Sequence, residues 1–81
     1  MKLTLAGNSD TACLQAILDK GYEISVKDRG DWFLYIANKD DLEFSATNGP
    51  EVLGLISLYE MYGKEWKDCL DKLPYDKIKH V

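Results

Sequence analysis

Apolar positions along this chain repeat at two spacings, every second residue and every third or fourth, and the longest signal is helical. From Thr47 to Lys64 the sequence reads TNGPEVLGLISLYEMYGK. At about 100° per residue, Val52, Leu55, Ile56, Tyr59 and Tyr62 fall on one stripe. Asn48 is placed to cap the first turn, with Glu51 three residues on to return the hydrogen bond. Gly49 is a rival cap ahead of Pro50, whose missing N–H costs nothing in a first turn. Gly63 is placed to end the helix in a left-handed turn. Leu53, Leu58 and Met61 lie off the stripe, so the helix is more apolar than one buried face requires.

Alternation at period two marks the strands. Lys2 to Ala6, with Leu3 and Leu5 on one face, reads as a short strand. Asn8, Ser9 and Asp10 are all suitable caps for a helix from Thr11 to Lys20. It carries Leu14, Ile17 and Leu18 on one side, with Cys13 flanking, and Gly21 ends it. Tyr22, Ile24 and Val26 alternate with Glu23, Ser25 and Lys27, predicting a half-buried strand. The loop KDRGD follows, with the Gly and Asp content of a hairpin turn. Trp32 to Asn38 is apolar on both faces, Trp32, Leu34 and Ile36 on one and Phe33, Tyr35 and Ala37 on the other. After a turn at Asn38 to Asp41, Leu42, Phe44 and Ala46 alternate with Glu43 and Ser45. Beyond Gly63, Trp66, Cys69, Leu70 and Leu73 predict a second, shorter amphipathic helix that Pro74 stops. The tail from Tyr75 to Val81 is expected to fray.

The expected order is β-α-β-β-β-α-α, an α+β domain. It has a single antiparallel or mixed sheet of three to four strands, with helices packed on one face. Short links make the last three strands a meander. The first strand fits either a right-handed parallel crossover or a place at the sheet edge. In element order alone, the central α-β-β-β-α stretch resembles the double-stranded-RNA-binding fold and its partial versions in some antitoxins. That resemblance implies basic residues at the start of the second helix, where Asn48-Gly49-Pro50-Glu51 supplies neither Lys nor Arg.

Composition narrows function by exclusion. With 81 residues there is room for one domain, 1–81. A hydrophobic fraction of 46% is that of a folded chain rather than a disordered one. No apolar run approaches the roughly 18 residues of a membrane span, and MKLTLAGNSD lacks the apolar core of a signal peptide, so the expected location is cytoplasmic. The net charge of −4, with Arg29 the single arginine, argues against a nucleic-acid module. Cys13 and Cys69 sit within helical patterns and are expected as reduced core thiols.

Catalytic and metal-binding patterns are missing. His80 is the one histidine, which leaves neither a nucleophile–base pair nor a zinc ligand set. AGNSD joins a strand to a helix as phosphate loops do, but it has no GxGxxG or GK[ST]. Arg29-Gly30-Asp31 reads as a solvated hairpin tip. The chain is therefore expected to be no enzyme, to hold no cofactor or metal, and to act by docking on another protein. It would be a small inhibitor, immunity protein or regulatory subunit, with a basic partner surface favoured and a homodimer allowed. The expected contact residues are Phe33 and Tyr35, on the sheet face the helices leave open, within a rim of Asp28, Asp31 and Asp40. Leu53 and Met61 on the off-stripe side of the long helix complete the set. The alternative is a nucleic-acid-binding regulator of the partial double-stranded-RNA-binding type.

Overall fold

The computed structural model describes residues 1–2, 9–66 and 78–79. Its elements are α1 (Ser9–Asp19), β1 (Glu23–Asp28), β2 (Phe33–Lys39), β3 (Leu42–Ala46) and α2 (Gly49–Tyr62). The strands form one antiparallel sheet in the order β1-β2-β3, a small α+β architecture. All but the first residue of the strand expected at Lys2 to Ala6, the body of the helix expected from Trp66 to Leu73, and most of the tail fall outside the described residues.

Local sequence accounts for the element ends. Asn48 Oδ1 accepts the Glu51 N–H at 2.8 Å, and Asn48 Nδ2 donates to Glu51 Oε1 at 2.9 Å. Thr47 Oγ1 donates to the same carboxylate at 2.6 Å, so Glu51 ties the start of α2 to the preceding loop. At the other end Gly63 takes φ 68° and ψ −153° while its N–H donates to Tyr59 O. The expected left-handed turn is thus replaced by a backbone region open essentially to glycine alone. A short 3₁₀ turn over 63–66 follows.

The strand register decides which side chains share a face. Ile24, Ala37 and Phe44 align across the three strands, as do Val26, Tyr35 and Ala46. Side chains opposite one another in a ladder point to the same side, so these residues form one face. Ile17 of α1, Val52 and Ile56 of α2, Tyr22 and Ala37 make the buried core, with Leu14, Ile24, Tyr35, Phe44, Ala46 and Leu53 packed against it. Both helices therefore cover the face of Tyr35 and Ala37. The expectation that Phe33 and Tyr35 mark the open face is overturned. Ala37, the smallest apolar residue of β2, is fully buried beneath the helices.

The two helices run in the same direction, because an odd number of strands lies between them. Asp10 in the first turn of α1 meets Gly49 in the first turn of α2, and Lys20 just past α1 meets Glu60 in the last turn of α2. A Cβ on Gly49 would lie 2.8 Å from the Asp10 carbonyl oxygen, so the two helices approach closely there. Helix α2 thus packs on α1 as well as on the sheet. This second partner widens its buried arc and draws Leu53, expected to lie outside the stripe, against the core.

Candidate functional site

The β1–β2 hairpin carries two adjacent exposed aromatic side chains, Trp32 and Phe33. Asp28 Oδ1 accepts the Gly30 N–H at 2.8 Å, and Gly30 takes φ 91°, a turn that the KDRGD composition was suited to make. Arg29 N–H donates to Trp32 O at 2.9 Å and closes the loop. Trp32 therefore lies in the turn rather than in β2, and the strand begins at Phe33. Trp32 is 47% exposed and Phe33 51%, beyond the reach of both helices. Val26, 51% exposed, stands one ladder step away on the face that Phe33 shares.

The other expected contact residues scatter. Tyr35 is half-buried and packs on the core, as does Leu53. Met61 is 69% exposed on the last turn of α2, near the exposed Leu58 and Tyr62, at the opposite end of that helix from Leu53. Asp28 and Asp31 flank Phe33 but are interleaved with Lys27 and Arg29, so that end of the sheet is balanced in charge. Asp40 sits at the far end of β2, about 20 Å from Phe33 at the usual rise per strand residue. It belongs to a separate acidic end with Asp41, Glu43 and Glu23. The expected single patch, aromatic inside an acidic rim, is therefore two surfaces at opposite ends of the sheet.

At the acidic end the chemistry is largely satisfied. Lys39 Nζ donates to Lys20 O at 2.9 Å and lies 5.4 Å from the centre of the Tyr22 ring. Tyr22 meets Phe44 edge-on with ring centres 6.0 Å apart, and Phe44 meets Tyr59 likewise at 5.7 Å. These contacts bury Tyr22, and burial raises its phenol above the usual 10.0, with the Glu60 charge adding and Lys20 opposing. A shallow, open depression lined by Gly21, Glu23, Asn38, Lys39 and Asp40 lies beside this cluster.

Among the described residues, no three His, Cys, Asp or Glu side chains converge as metal ligands, and no helix is long and apolar enough to cross a membrane. Cys13 is half-buried against Gly49; Cys69 and His80 lie outside the described residues. The start of α2, which the RNA-binding resemblance would make basic, is occupied by the Thr47–Asn48–Glu51 network instead. The residues that sequence reasoning missed at the exposed end are Trp32, which was assigned to β2 on the face of Leu34 and Ile36, and Val26. The alternation of Val26 with Lys27 marked it as inward-facing, and it does share the helix-covered face with Tyr35, yet it is half exposed there.

No protein-family model, curated protein or solved structure matches this chain.

Proposed function

We propose that this chain is a small protein-binding module, of the inhibitor, immunity or regulatory-subunit kind, that docks through the β1–β2 end of its sheet. The observation that carries this reading is the pair of large rings, Trp32 and Phe33, held half in solvent on a hairpin whose turn is fixed by Asp28 and Gly30. Aromatic anchors on a rigid support contribute most to binding where a partner supplies a matching apolar pocket. The balanced charges of Lys27, Asp28, Arg29 and Asp31 suit a polar rim of mixed sign rather than a strongly basic partner surface. A cytoplasmic location and the absence of an enzymatic role remain part of this proposal.

The test is capture of partners by tagged protein from lysate of the source cells, with and without nuclease. The wild-type chain is expected to retain a stoichiometric protein after nuclease treatment. Trp32→Ala and Phe33→Ala are each expected to lose it while keeping the wild-type circular dichroism. Loss of all bound material on nuclease treatment would instead support the nucleic-acid-binding regulator. Full retention by both alanine variants would move the docking surface elsewhere, with the Leu58–Met61–Tyr62 surface the next to be substituted.

A further inference from the structure

Among the described residues, strand β1 lies at an edge of the sheet, with β2 as its neighbour on one side. The Arg29 N–H bond to Trp32 O shows which β1 residues turn their backbone groups inward. By alternation, Lys27, Ser25 and Glu23 bond toward β2, and Ile24, Val26 and Asp28 present theirs at the edge. Side chains along the strand sort equally cleanly. Ile24 and Val26 point to the helix-covered face, while Glu23, Ser25 and Lys27 point to the other. Above this edge runs α1, whose Cys13 and Lys20 sides meet α2. Leu18 lies on the opposite side of α1 and is 48% exposed.

We propose that this edge pairs with the same edge of a second copy of the chain, antiparallel about a two-fold axis at Ser25. In that register Ile24 stands opposite the partner's Val26, and Val26 opposite the partner's Ile24. Both residues have outward backbone groups, so each pair closes a hydrogen-bonded ring. Glu23 stands opposite the partner's Lys27 and Lys27 opposite the partner's Glu23. These are the non-hydrogen-bonded positions, where Cα atoms approach to about 4.5 Å and opposite charges attract most. Moving the axis to Ile24 or to Val26 sets Glu23 or Lys27 against the partner's Ser25 and loses both charge pairs. Hydrogen-bond parity and apolar matching allow this register, and charge complementarity selects it over its neighbours. A two-fold axis perpendicular to the sheet keeps all helices on one face of a continuous six-stranded sheet. It brings Leu18 and Val26 of each copy toward the junction, and the interface closes on itself. The surface is centred on β1 rather than on the Trp32–Phe33 end, so this proposal stands independently of the function proposed above.

Sedimentation equilibrium of the full chain over a concentration series up to about 1 mM tests it. The wild type is expected to dimerise reversibly, more weakly as salt rises. Glu23→Lys and Lys27→Glu each place like charges opposite one another, and each is expected to weaken the dimer by about tenfold. The double variant Glu23→Lys/Lys27→Glu restores both pairs and is expected to regain the wild-type constant. Both positions of substitution are exposed, and circular dichroism checks that each of the three variants folds. Amide exchange at Ile24 and Val26 should slow as concentration rises. A wild-type monomer at every concentration, single variants that dimerise normally, or a double variant no better than the singles would each overturn the proposal. Edge amides equally protected in dilute monomer would overturn it too, and would give the edge to residues of the same chain.

Discussion

Asp10 Oδ1 accepts the backbone N–H of Gly49 at 2.6 Å, a bond between the first turns of two helices 39 residues apart in sequence. Parallel neighbouring helices place like ends of their dipoles side by side, which is unfavourable. A carboxylate shared by both N-termini offsets that at one end. Lys20, whose Nζ lies 2.8 Å from Glu60 Oε1, supplies positive charge at the other, although an ion pair this exposed contributes little by itself.

Gly49→Ala tests how tightly the helices meet at this bond. The new methyl would lie 2.8 Å from Asp10 O and 3.0 Å from Asp10 Oδ1, one of them backbone. Urea denaturation is expected to show a loss of about 1–3 kcal/mol, despite the better helix propensity of alanine. Gly54→Ala, where nothing lies within 4 Å of the added methyl, is expected to stabilise by about 0.5–1 kcal/mol through that same propensity.

Phe33 and Tyr35 lie two residues apart on one face and are expected to separate cleanly by truncation. Tyr35→Ala removes a ring packed on the core and is expected to cost about 2 kcal/mol in chemical denaturation. Phe33→Ala removes a ring that is half in solvent and is expected to change stability by less than about 0.5 kcal/mol. Equal losses would mean that Phe33 is covered in solution.

Asp40, in the two-residue turn between β2 and β3, has φ 55° and is the one non-glycine residue with positive φ among those described. Left-handed backbone costs a side-chain-bearing residue about 1–2 kcal/mol, and glycine gives back about 0.4–1 kcal/mol as extra entropy of the unfolded chain. Asp40→Gly is therefore expected to raise stability by about 0.5 kcal/mol, read from the denaturation midpoint. The variant also removes one of the adjacent carboxylates at Asp40 and Asp41.

Tyr22 makes stability depend on alkaline pH. Its phenol is raised above 10.0 in the folded protein, chiefly by burial, so the folded state holds the proton more tightly than the unfolded chain does. The stabilisation is complete below about pH 10 and is lost as pH rises through the folded value. Tyr22→Phe should flatten the decline in stability above about pH 10 relative to wild type, as followed by denaturation at a series of pH values. An unchanged decline would assign it to other groups.

Much of the local structure is legible in the sequence, because it depends on residues close together in the chain. The Asn48–Glu51 cap, the turn glycine at Gly30 and the alternation of Ile24, Val26, Phe44 and Ala46 each follow from short-range geometry or period. Both described helices and all three strands of the meander lie where these signals put them. Ends differ by a residue or two: α1 starts at Ser9 rather than Thr11, and β2 at Phe33 rather than Trp32.

What period could not decide was the side of β2 that faces the helices, since that strand is apolar on both. The register with β1 and β3 decided it, by aligning Ala37 with Ile24 and Phe44 under the helices. Leu53 was likewise drawn into the core by α1, an element 34 or more residues earlier that no local pattern connects to it. The proposed contact residues parted for a similar reason. Asp40 and Asp31 share a composition, but a strand's length separates them. Local chemistry determined the elements of this chain; contact between distant elements decided which of their faces remain open.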